Sequence, residues 1–461
     1  GAMLYEAESS DIQIAISGDS IITRSMSVFR EKRFLSLVEL LHGADVAITN
    51  AEMMFHNYED PPTGRPGGTY MRAEPKIIKE LQWLGIKMVS CSNNHAYDFG
   101  ENGILTNIRN LDEYGMPHAG TGRNLSEARS PAYLDTPRGR IALISVTSSG
   151  PQAMRAGEQW RDGPGRPGAN VLRYMTQYTV DRPVFDGLRR LSEGLGFESF
   201  KAHRKTNPWQ GGFAEDTDSQ FFLPSLNNEW QYPEPNGTLF ALGETFGTSH
   251  ILNGEDVEGN LQRIRDARRQ ADWVIVSMHT HEAGQTLDDP ADLVVAFAHA
   301  AIDAGADVFS GHGPHVDRGI EIYNGKPIFY SLGHLSLQND TVLQMPWDNM
   351  RRVGLGWEAT PADFFDFRSG REHLDEWAGF AVEPFRWRNA VATINFKDKQ
   401  LHEIRLYPID LGFKRPRSQR GRPALADGKV AEEVLNLFQR LSAPYGTRVD
   451  VENGVGVIKI G

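Results

Sequence analysis

The chain has 461 residues, of which 40% are hydrophobic and 23% charged, a composition typical of globular proteins with a large core. Its formal net charge of −12 disfavours a nucleic-acid partner, and we interpret the one basic stretch, 414–422, as a solvated loop. The only cysteine, Cys91, excludes an intrachain disulfide, and no apolar run is as long as a membrane-spanning helix. We expect a cytoplasmic protein, or an exported or anchored one whose N-terminus has been trimmed, and the oligomeric state is left open.

The first half of the chain repeats a pattern of helix, glycine, apolar strand and polar residues. Apolar residues at helical spacing predict helices near 34–41 and 77–84, which end at Gly43 and Gly85. A short apolar strand follows each helix, and another strand is predicted near the start of the chain. The polar residues after these strands are Asp19 after 11–17, Glu52 after 45–49, and Asn94 with His95 after 86–90.

The second half repeats the pattern with histidines. We predict a helix with Asp289 as its N-cap and Pro290 as its first residue, ending at Gly305. The histidines that follow predicted strands are His279 and His281 after 272–278, and His312 and His315 after 306–310. Because functional groups of α/β proteins collect beyond the carboxyl ends of the strands, we expect all these side chains to form one site.

Six motifs occur in a fixed order along the chain. They are Gly18-Asp19, Asn50-x-Glu52, Asn93-Asn94-His95-x-x-Asp98, His279, Gly311-His312-x-Pro314-His315 and Ser331-Leu332-Gly333. In this order they resemble the bacterial capsule-synthesis CapA family, a relative of the calcineurin-like metallophosphatases. The resemblance implies a four-layer αββα sandwich that holds one or two divalent metal ions. It also implies a link to poly-γ-glutamate capsules, although at least one relative epimerises a peptide.

The chemistry of the side chains predicts how such a site would work. The predicted metal ligands are Asp19, Glu52, Asn94, His279, His312 and His315. This mixed set of nitrogen and oxygen donors, without a thiolate, suits Mn²⁺, Zn²⁺ or Fe²⁺ better than Mg²⁺ or Ca²⁺. A water bound to such an ion is acidified and becomes the nucleophile. His95 is the predicted general acid, and Asp98 is placed to orient its ring.

Two histidines depart from the family pattern. The segment usually written Ser-Leu-Gly-Asn ends here in His334, and the segment often written His-Trp-Gly-Glu contains His281. We interpret His281 as an extra ligand, a proton carrier or a surface residue. We predict that His334 titrates near neutrality and tunes the reaction or contacts the substrate, without binding the metal. Both are included among the predicted catalytic residues.

The pattern predicts an α/β core that is interrupted once and extended at its C-terminus. The halves of the core are 11–149 and 238–335, and the aromatic-rich insertion 150–237 is interpreted as a lid or pocket wall. The extension 336–461 begins with an aromatic stretch, 346–388, interpreted either as a second pocket wall or as a separate hydrophobic cluster. The extension then continues with a hairpin over 391–407, a helix near 430–441 and a hairpin that turns at Asn453-Gly454.

The arginines we predict to bind an anionic group of the substrate are Arg72, Arg161 and Arg166. Because the chain has no glycine-rich phosphate loop, we favour a small-molecule or peptide-like substrate with an amide bond and an anionic group, and keep phosphate esters open. The predicted function is metal-dependent hydrolysis. The alternatives are a metal-assisted epimerase or lyase, and a non-catalytic metal-containing protein that binds or assembles a polymer.

Overall fold

Helices and strands alternate along much of the chain. The structure, a computed structural model, describes residues 11–206, 215–224 and 237–460. The α-helices in this part are α1 (Lys32–Gly43), α2 (Ile78–Leu84), α3 (Gly100–Glu113), α4 (Leu125–Arg129), α5 (Arg182–Gly194), α6 (Phe197–Lys205), α7 (Gly254–Arg268), α8 (Asp292–Ala304), α9 (Trp347–Arg352), α10 (Pro361–Ser369) and α11 (Gly428–Ser442). Among the described residues, no helix is both long and apolar enough to cross a bilayer.

The strands of the described part are mostly short. The first twelve are β1 (Ile12–Ile21), β2 (Val46–Ala51), β3 (Met54–Phe55), β4 (Arg72–Ala73), β5 (Met88–Ser90), β6 (His118–Ala119), β7 (Thr121–Gly122), β8 (Ala132–Thr136), β9 (Gly139–Thr147), β10 (Gly168–Ala169), β11 (Tyr174–Val180) and β12 (Gln220–Pro224). The others are β13 (Gly237–Leu242), β14 (Gly247–Leu252), β15 (Trp273–His279), β16 (Val308–His312), β17 (Ile320–Tyr323), β18 (Lys326–Phe329), β19 (His334–Leu337), β20 (Arg388–Lys397), β21 (Gln400–Asp410), β22 (Ala424–Leu425), β23 (Asp450–Glu452) and β24 (Val455–Lys459).

The larger sheet has ten strands in the order β23-β24-β21-β20-β1-β2-β5-β6, with β19 paired to β1 and β22 to β21. The neighbours β1, β2, β5 and β6 are parallel, and β19 is also parallel to β1. The β20–β21 hairpin, predicted from the sequence, joins β1 in antiparallel fashion. The C-terminal part of the chain therefore completes the sheet that carries Asp19.

The smaller sheet has six strands in the order β17-β18-β16-β15-β9-β8, and it packs face to face against the larger one. Ile14 and Val46 of the larger sheet share a buried core with Ile275 and Val308 of the smaller sheet. The alternate residues of β1 and β2 point the other way, into a second core that includes the buried faces of α1 and α2.

Helices cover the outer face of each sheet. On the larger sheet, Phe34 of α1 and Leu81 of α2 are fully buried, and α2 ends at Gly85, whose φ of +101° favours glycine. On the smaller sheet, Phe297 of α8 packs against Phe309 of β16 with ring centroids 6.3 Å apart. The order of layers is helix, sheet, sheet, helix, which confirms the predicted αββα sandwich.

Residues Arg173–Val257 form a second compact unit, whereas 150–172 belong to the larger one. This unit contains α5, α6 and a four-stranded sheet in the order β12-β13-β11-β14. Val180, Phe185 and Phe221 form its hydrophobic core. Four aromatic residues of the predicted insertion lie outside the described residues: Trp209, Phe213, Trp230 and Tyr232. The role of the insertion as a lid or wall stays a prediction.

The predicted start of α8 is wrong. The helix begins at Asp292 and its N-cap is Ala291. Asp289 instead accepts hydrogen bonds from the backbone N–H and the hydroxyl of Thr286, at 3.2 and 2.8 Å, and Pro290 pairs with an earlier strand-like segment. The Asp289 side chain therefore stabilises a local turn and does not cap the helix.

The interpretation of 414–422 as a solvated loop is confirmed for 414–416, 418 and 419, which are exposed, and is wrong for 420–422, which are buried. The Arg420 side chain is only 1% exposed, and it forms ion pairs with Asp340 and, at 3.0 Å, with Glu372. Arg417 in the same stretch pairs with a carboxylate of α10 at 3.0 Å. Carboxylates from distant parts of the chain therefore neutralise the buried end of this basic stretch.

Candidate metal centre

Strand ends from both sheets meet at one edge of the sandwich. Asp19 of β1 lies opposite His334 of β19 in the larger sheet. His279 and His312 end β15 and β16 and are paired in register in the smaller sheet. The backbone N–H of Gly313 donates to Asp19 Oδ2 at 3.1 Å, and this bond connects the two sheets.

Asp19 is fully buried, and its two oxygens face different imidazoles. Oδ1 lies 3.6 Å from His279 Nδ1 and 3.4 Å from His312 Nδ1, whereas Oδ2 lies 3.6 Å from His315 Nδ1. Burial raises the pKa of Asp19, but hydrogen bonds and charges from His279 and His312 outweigh burial and hold the pKa well below its usual value. An ionised carboxylate in this position can bridge two cations.

Glu52 is fully buried, and neither of its carboxylate oxygens has a hydrogen-bond partner among the described residues. Its Oε1 lies 3.7 Å from His279 Nε2 and 3.6 Å from His315 Nε2. Burial raises the pKa of Glu52 well above its usual value, and the negative charges of Asp19 and Asp98 add to the rise. Because a buried carboxylate without a partner is costly, this position fits a bound cation.

The surrounding histidines present neutral nitrogens. Burial lowers the pKa of His279, lowers that of His315 well below its usual value, and lowers that of His334 to about 4. The nitrogens converge in pairs, with 3.0 Å between His279 Nδ1 and His312 Nδ1 and 2.9 Å between His315 Nδ1 and His334 Nε2. Since metals bind unprotonated imidazole nitrogen, these side chains are suited to act as ligands.

The donor atoms fall into three groups in which all atoms lie within 4.8 Å of one another: Asp19, His279 and His312; Asp19, His315 and His334; and Glu52, His281 and His315. Asn94 adds a buried Oδ1 with no hydrogen-bond partner in the described structure, while its Nδ2 donates to the Gly67 carbonyl at 2.9 Å. The overlap between the groups fits one or two ions. The mixture of nitrogen and oxygen donors suits Mn²⁺, Zn²⁺ or Fe²⁺.

His95 and Asp98 form a buried pair beside Glu52. His95 Nδ1 lies 2.7 Å from Asp98 Oδ2, and Asp98 also accepts hydrogen bonds from the backbone N–H groups of Gly67 and Met71, at 2.9 and 2.8 Å. Asp98 is therefore an acceptor, which assigns the proton of neutral His95 to Nδ1. The other nitrogen, Nε2, faces Glu52 Oε1 at 3.9 Å and can exchange a proton with a bound molecule.

Asn50 supports Asp19, a role that the sequence did not indicate. Its Nδ2 donates to Asp19 Oδ1 at 2.8 Å, and its Oδ1 accepts from Ser90 Oγ at 3.1 Å and from Asn93 Nδ2 at 3.3 Å. Asn50 is part of the Asn50-x-Glu52 motif, but its contact with Asp19 follows from the register between β1 and β2. The motif alone does not predict that contact, because it does not say which residues of the two strands are paired.

The two unusual histidines lie in different surroundings. His281 is exposed, and its Nε2 lies 3.3 Å from His279 Nε2. His334 is fully buried, stacks on His315 with ring centroids 4.8 Å apart, and donates from Nδ1 to the Arg386 carbonyl at 3.1 Å. The expectation that His334 titrates near neutrality is wrong, because burial lowers its pKa to about 4. Its Nε2, 2.9 Å from His315 Nδ1, belongs to one of the three donor groups and fits a metal ligand.

Comparison with known proteins adds the family. Residues 13–338 match the model of the family described as bacterial capsule synthesis protein PGA_cap. The chain belongs to this family. The Uncharacterized protein y4sH of Sinorhizobium fredii (strain NBRC 101917 / NGR234) is 33% identical over 454 residues, which are 96% of this chain and 92% of the relative. The PGA biosynthesis protein CapA of Bacillus subtilis (strain 168) is 39% identical over 358 residues, 72% of this chain and 69% of that protein.

These relatives confirm the resemblance to CapA proteins that the motifs indicated. Among solved structures, the Haemophilus influenzae NAD nucleotidase matches with a TM-score of 0.33 and 10% identity. That match covers 92% of this chain and 56% of the other.

In this PGA_cap protein the three arginines predicted to bind substrate have other contacts. Arg72 is buried, and its Cζ lies 3.8 Å from the centre of the Tyr58 ring. Arg161 is exposed, and Arg166 donates to the Arg155 carbonyl at 2.9 Å. None of these contacts involves a predicted metal ligand. Their role in substrate binding stays a prediction.

The C-terminal aromatic stretch joins a main hydrophobic core and does not form a separate cluster. Phe364, Phe365 and Trp387 are buried in the core on the outer face of the larger sheet. Phe380 packs against the same core, and its ring centroid lies 5.6 Å from that of His315, while the role of the stretch as a pocket wall stays a prediction. The stretch has no regular hydrophobic period, so the sequence could not distinguish the residue at the site from those in the core.

Proposed function

We propose that this PGA_cap protein is a metal-dependent hydrolase. The metal ligands that we propose are Asp19, Glu52, Asn94, His279, His312 and His315. The observation that carries the proposal is the convergence of two buried carboxylates on neutral imidazoles, with the His95–Asp98 pair 3.9 Å from Glu52. Family membership and the types of donor atom support the choice of a divalent-metal enzyme.

Some residues of the site would hold the ions, and others would move a proton. Asp19, with oxygens facing two sets of histidines, sets the spacing of the ligand groups. Divalent ions bound there would lower the pKa of a water molecule towards neutrality and so supply a nucleophile. Asn50 keeps the Asp19 carboxylate oriented through its 2.8 Å hydrogen bond.

His95 would protonate the leaving group. Its Nδ1–H bond to Asp98 leaves Nε2 on the side of the site, where the second proton of a charged ring would be carried. Asp98 stabilises that charged ring and fixes its direction, because two backbone N–H groups hold the carboxylate in place. A leaving group that departs as an amine or an alcohol needs such a proton.

The substrate that we propose is a small-molecule or peptide-like compound in which an amide bond or a phosphate ester lies near an anionic group. The B. subtilis relative is named for PGA biosynthesis, and by similarity we propose a role in handling a capsule polymer or its fragments. A carboxylated amide would suit a site in which divalent ions outweigh the charge of two ligand carboxylates.

The test is a turnover screen on protein loaded with Mn²⁺, Zn²⁺ or Fe²⁺. The substrates are phosphate esters, γ-glutamyl amides and peptides, and the readout is product mass. We expect products whose masses sum to the substrate plus one water, with activity that a chelator removes and added metal restores. The absence of turnover on all three classes, with metal content verified, would contradict the proposal.

One observation favours a non-hydrolytic alternative, an epimerase or a lyase. The Nε2 of His281 lies 3.3 Å from His279 Nε2, so a second imidazole besides His95 lies at the site, and desolvation lowers its pKa to about 3, which keeps the ring neutral, the form that accepts a proton. In deuterium oxide an epimerase would return substrate of inverted configuration that has gained deuterium, and a lyase would release products without adding water. A non-catalytic protein would bind the polymer and leave its mass unchanged.

A further inference from the structure

Two arginines of the C-terminal helices lack a carboxylate partner. Arg352 is the last residue of α9, and Arg368 lies in the last turn of α10, a helix anchored by the buried side chains of Phe364 and Phe365. In the described part of the chain, neither arginine forms an ion pair, and Nη1 of Arg368 is buried without a hydrogen-bond partner. Arg368 is half-buried, and a buried guanidinium nitrogen without a hydrogen-bond partner is costly in a folded protein, which points to an anion that binds there.

Arg368 acts electrostatically on the metal centre. Two carboxylates lie close enough for their charges to act on Arg368: Asp340, which is already paired with Arg420, and Glu52, which is a proposed metal ligand. The distance is nevertheless too long for an ion pair with Glu52, so the guanidinium keeps its hydrogen-bonding capacity for another group. Divalent ions bound to Asp19 and Glu52 would neutralise those carboxylates. Even less negative charge would then remain near Arg368 to balance its guanidinium.

Arg352 lies on the side of the site that carries the general acid. Its Nη2 donates to the Gly68 carbonyl at 3.1 Å. A Cβ added to Gly68 would come within 3.4 Å of His95 Cε1, so this backbone segment is packed against the His95 ring. Burial lowers the pKa of Arg368, the charges of Asp340 and Glu52 oppose that change, and the charge of Arg352 adds to it, so the two guanidinium groups lie close enough to interact.

Phe380 connects these arginines to the metal ligands. The Cζ atom of Arg368 lies 5.8 Å from the centre of the Phe380 ring, and the same ring lies 5.6 Å from that of His315. Arg386 stacks closer, at 4.2 Å, but it is already paired with Glu383 and donates to the His315 carbonyl at 3.4 Å. Of the two arginines on Phe380, only Arg368 is free to bind a ligand.

We propose that Arg352 and Arg368 form an oxyanion-binding subsite beside the metal centre, which holds a carboxylate or a phosphate group of the substrate close to His95. The planar guanidinium presents paired N–H donors that match the geometry of either group. Both arginines lie beyond residues 13–338, the part that matches the family model, so the C-terminal part supplies this recognition. The inference deepens the proposed hydrolase and rests on it for the identity of the ligand as substrate, but oxyanion binding does not require turnover.

The test uses the full chain and four variants: Arg352→Gln, Arg368→Gln, the double variant, and Arg351→Gln as a matched control on the exposed side of the same helix. L-glutamate and inorganic phosphate are titrated calorimetrically into metal-loaded and metal-free protein. We expect the double variant to bind at least one of these oxyanions about 10- to 100-fold more weakly, with metal content and Tm unchanged. The oxyanion whose binding weakens identifies carboxylate or phosphate recognition, and Arg351→Gln should match the parent.

Three results would overturn the subsite: unchanged binding of both oxyanions by the double variant, no binding of either by the parent, or loss of metal from Arg368→Gln. Arg352 is exposed, so its single variant tests the proposal even if Arg368→Gln folds poorly. Oxyanion binding that depends on the arginines without any turnover contradicts the hydrolase and leaves the subsite intact. Turnover whose KM for anionic substrates is unchanged in the double variant contradicts the subsite alone.

Discussion

The metal centre and the wall beside it are built in different ways. The candidate ligands follow the ends of strands in two sheets, where parallel neighbours bring Asp19 and His312 to the same edge. The wall, which we define as Arg352, Arg368 and Phe380, comes from short helices and turns near the C-terminus. Strand pairing fixes where the strands end, whereas the position of the wall depends on how α9 and α10 pack against the rest of the chain. We therefore expect that substitutions in the wall leave the ligands in place.

The largest expected effect comes from removing the carboxylate shared by two ligand groups. Asp19→Ala should lose bound metal and all turnover, since the variant has no carboxylate to bridge the histidine pairs. It should also lose the stability that metal confers on the folded state, about 2.7 kcal/mol when metal is at 100 times its Kd. Elemental analysis and urea unfolding with and without a chelator measure both. The exposed His402→Ala is the control, and full metal content in Asp19→Ala would refute the assignment.

The next effect separates proton transfer from metal binding within the same centre. His95→Ala should retain its metal and its Tm, yet lose about 10²- to 10⁴-fold in kcat, because general acid catalysis contributes about that much. A substrate with a good leaving group should recover most of the loss. Asp98→Asn should lose less, because it weakens the stabilisation and orientation of the charged ring but leaves His95 in place. If parent and His95→Ala turn over the poorest leaving group equally fast, His95 has no part in the reaction.

A third effect distinguishes a structural arginine from the arginines of the wall. Arg420 is buried against Asp340, so Arg420→Met leaves a carboxylate buried without its partner and should lower the free energy of unfolding by about 3–5 kcal/mol. Urea unfolding of the metal-free protein measures this. Arg368→Gln, which breaks no ion pair, should leave the unfolding free energy close to that of the parent. Equal destabilisation by the two substitutions would mean that Arg368 is structural as well.

The smallest effect tests the aromatic part of the wall. Phe380→Leu removes a ring contact with His315 that is worth about 0.5–1.5 kcal/mol, so KM for an anionic substrate should rise by less than about 10-fold. Metal content should stay as in the parent. Phe367→Leu, at an exposed position of α10, is the control. Loss of metal from Phe380→Leu would show that the wall and the ligands do not vary independently.

The sequence by itself determined the layered core and the chemical character of the site. Apolar residues at helical spacing followed by a glycine predicted α1 and α2, and the apolar runs after them predicted β2 and β5. Both signals are local, because they depend only on which residues can share one face of a helix or fill a buried strand. The polar residues after those strands predicted a common edge, since parallel strands end on the same side of a sheet.

Only the tertiary structure decided which charged side chains serve the fold and which face the site. Arg72 stacks on Tyr58, Arg420 is buried against Asp340, and Arg368 forms no ion pair within the described part of the chain. Burial likewise lowers the pKa of His334 to about 4, where its residue type alone predicted a value near neutrality. The fate of a charge depends on the groups and the solvent around it, and these come from segments distant in sequence that meet only when the chain is folded.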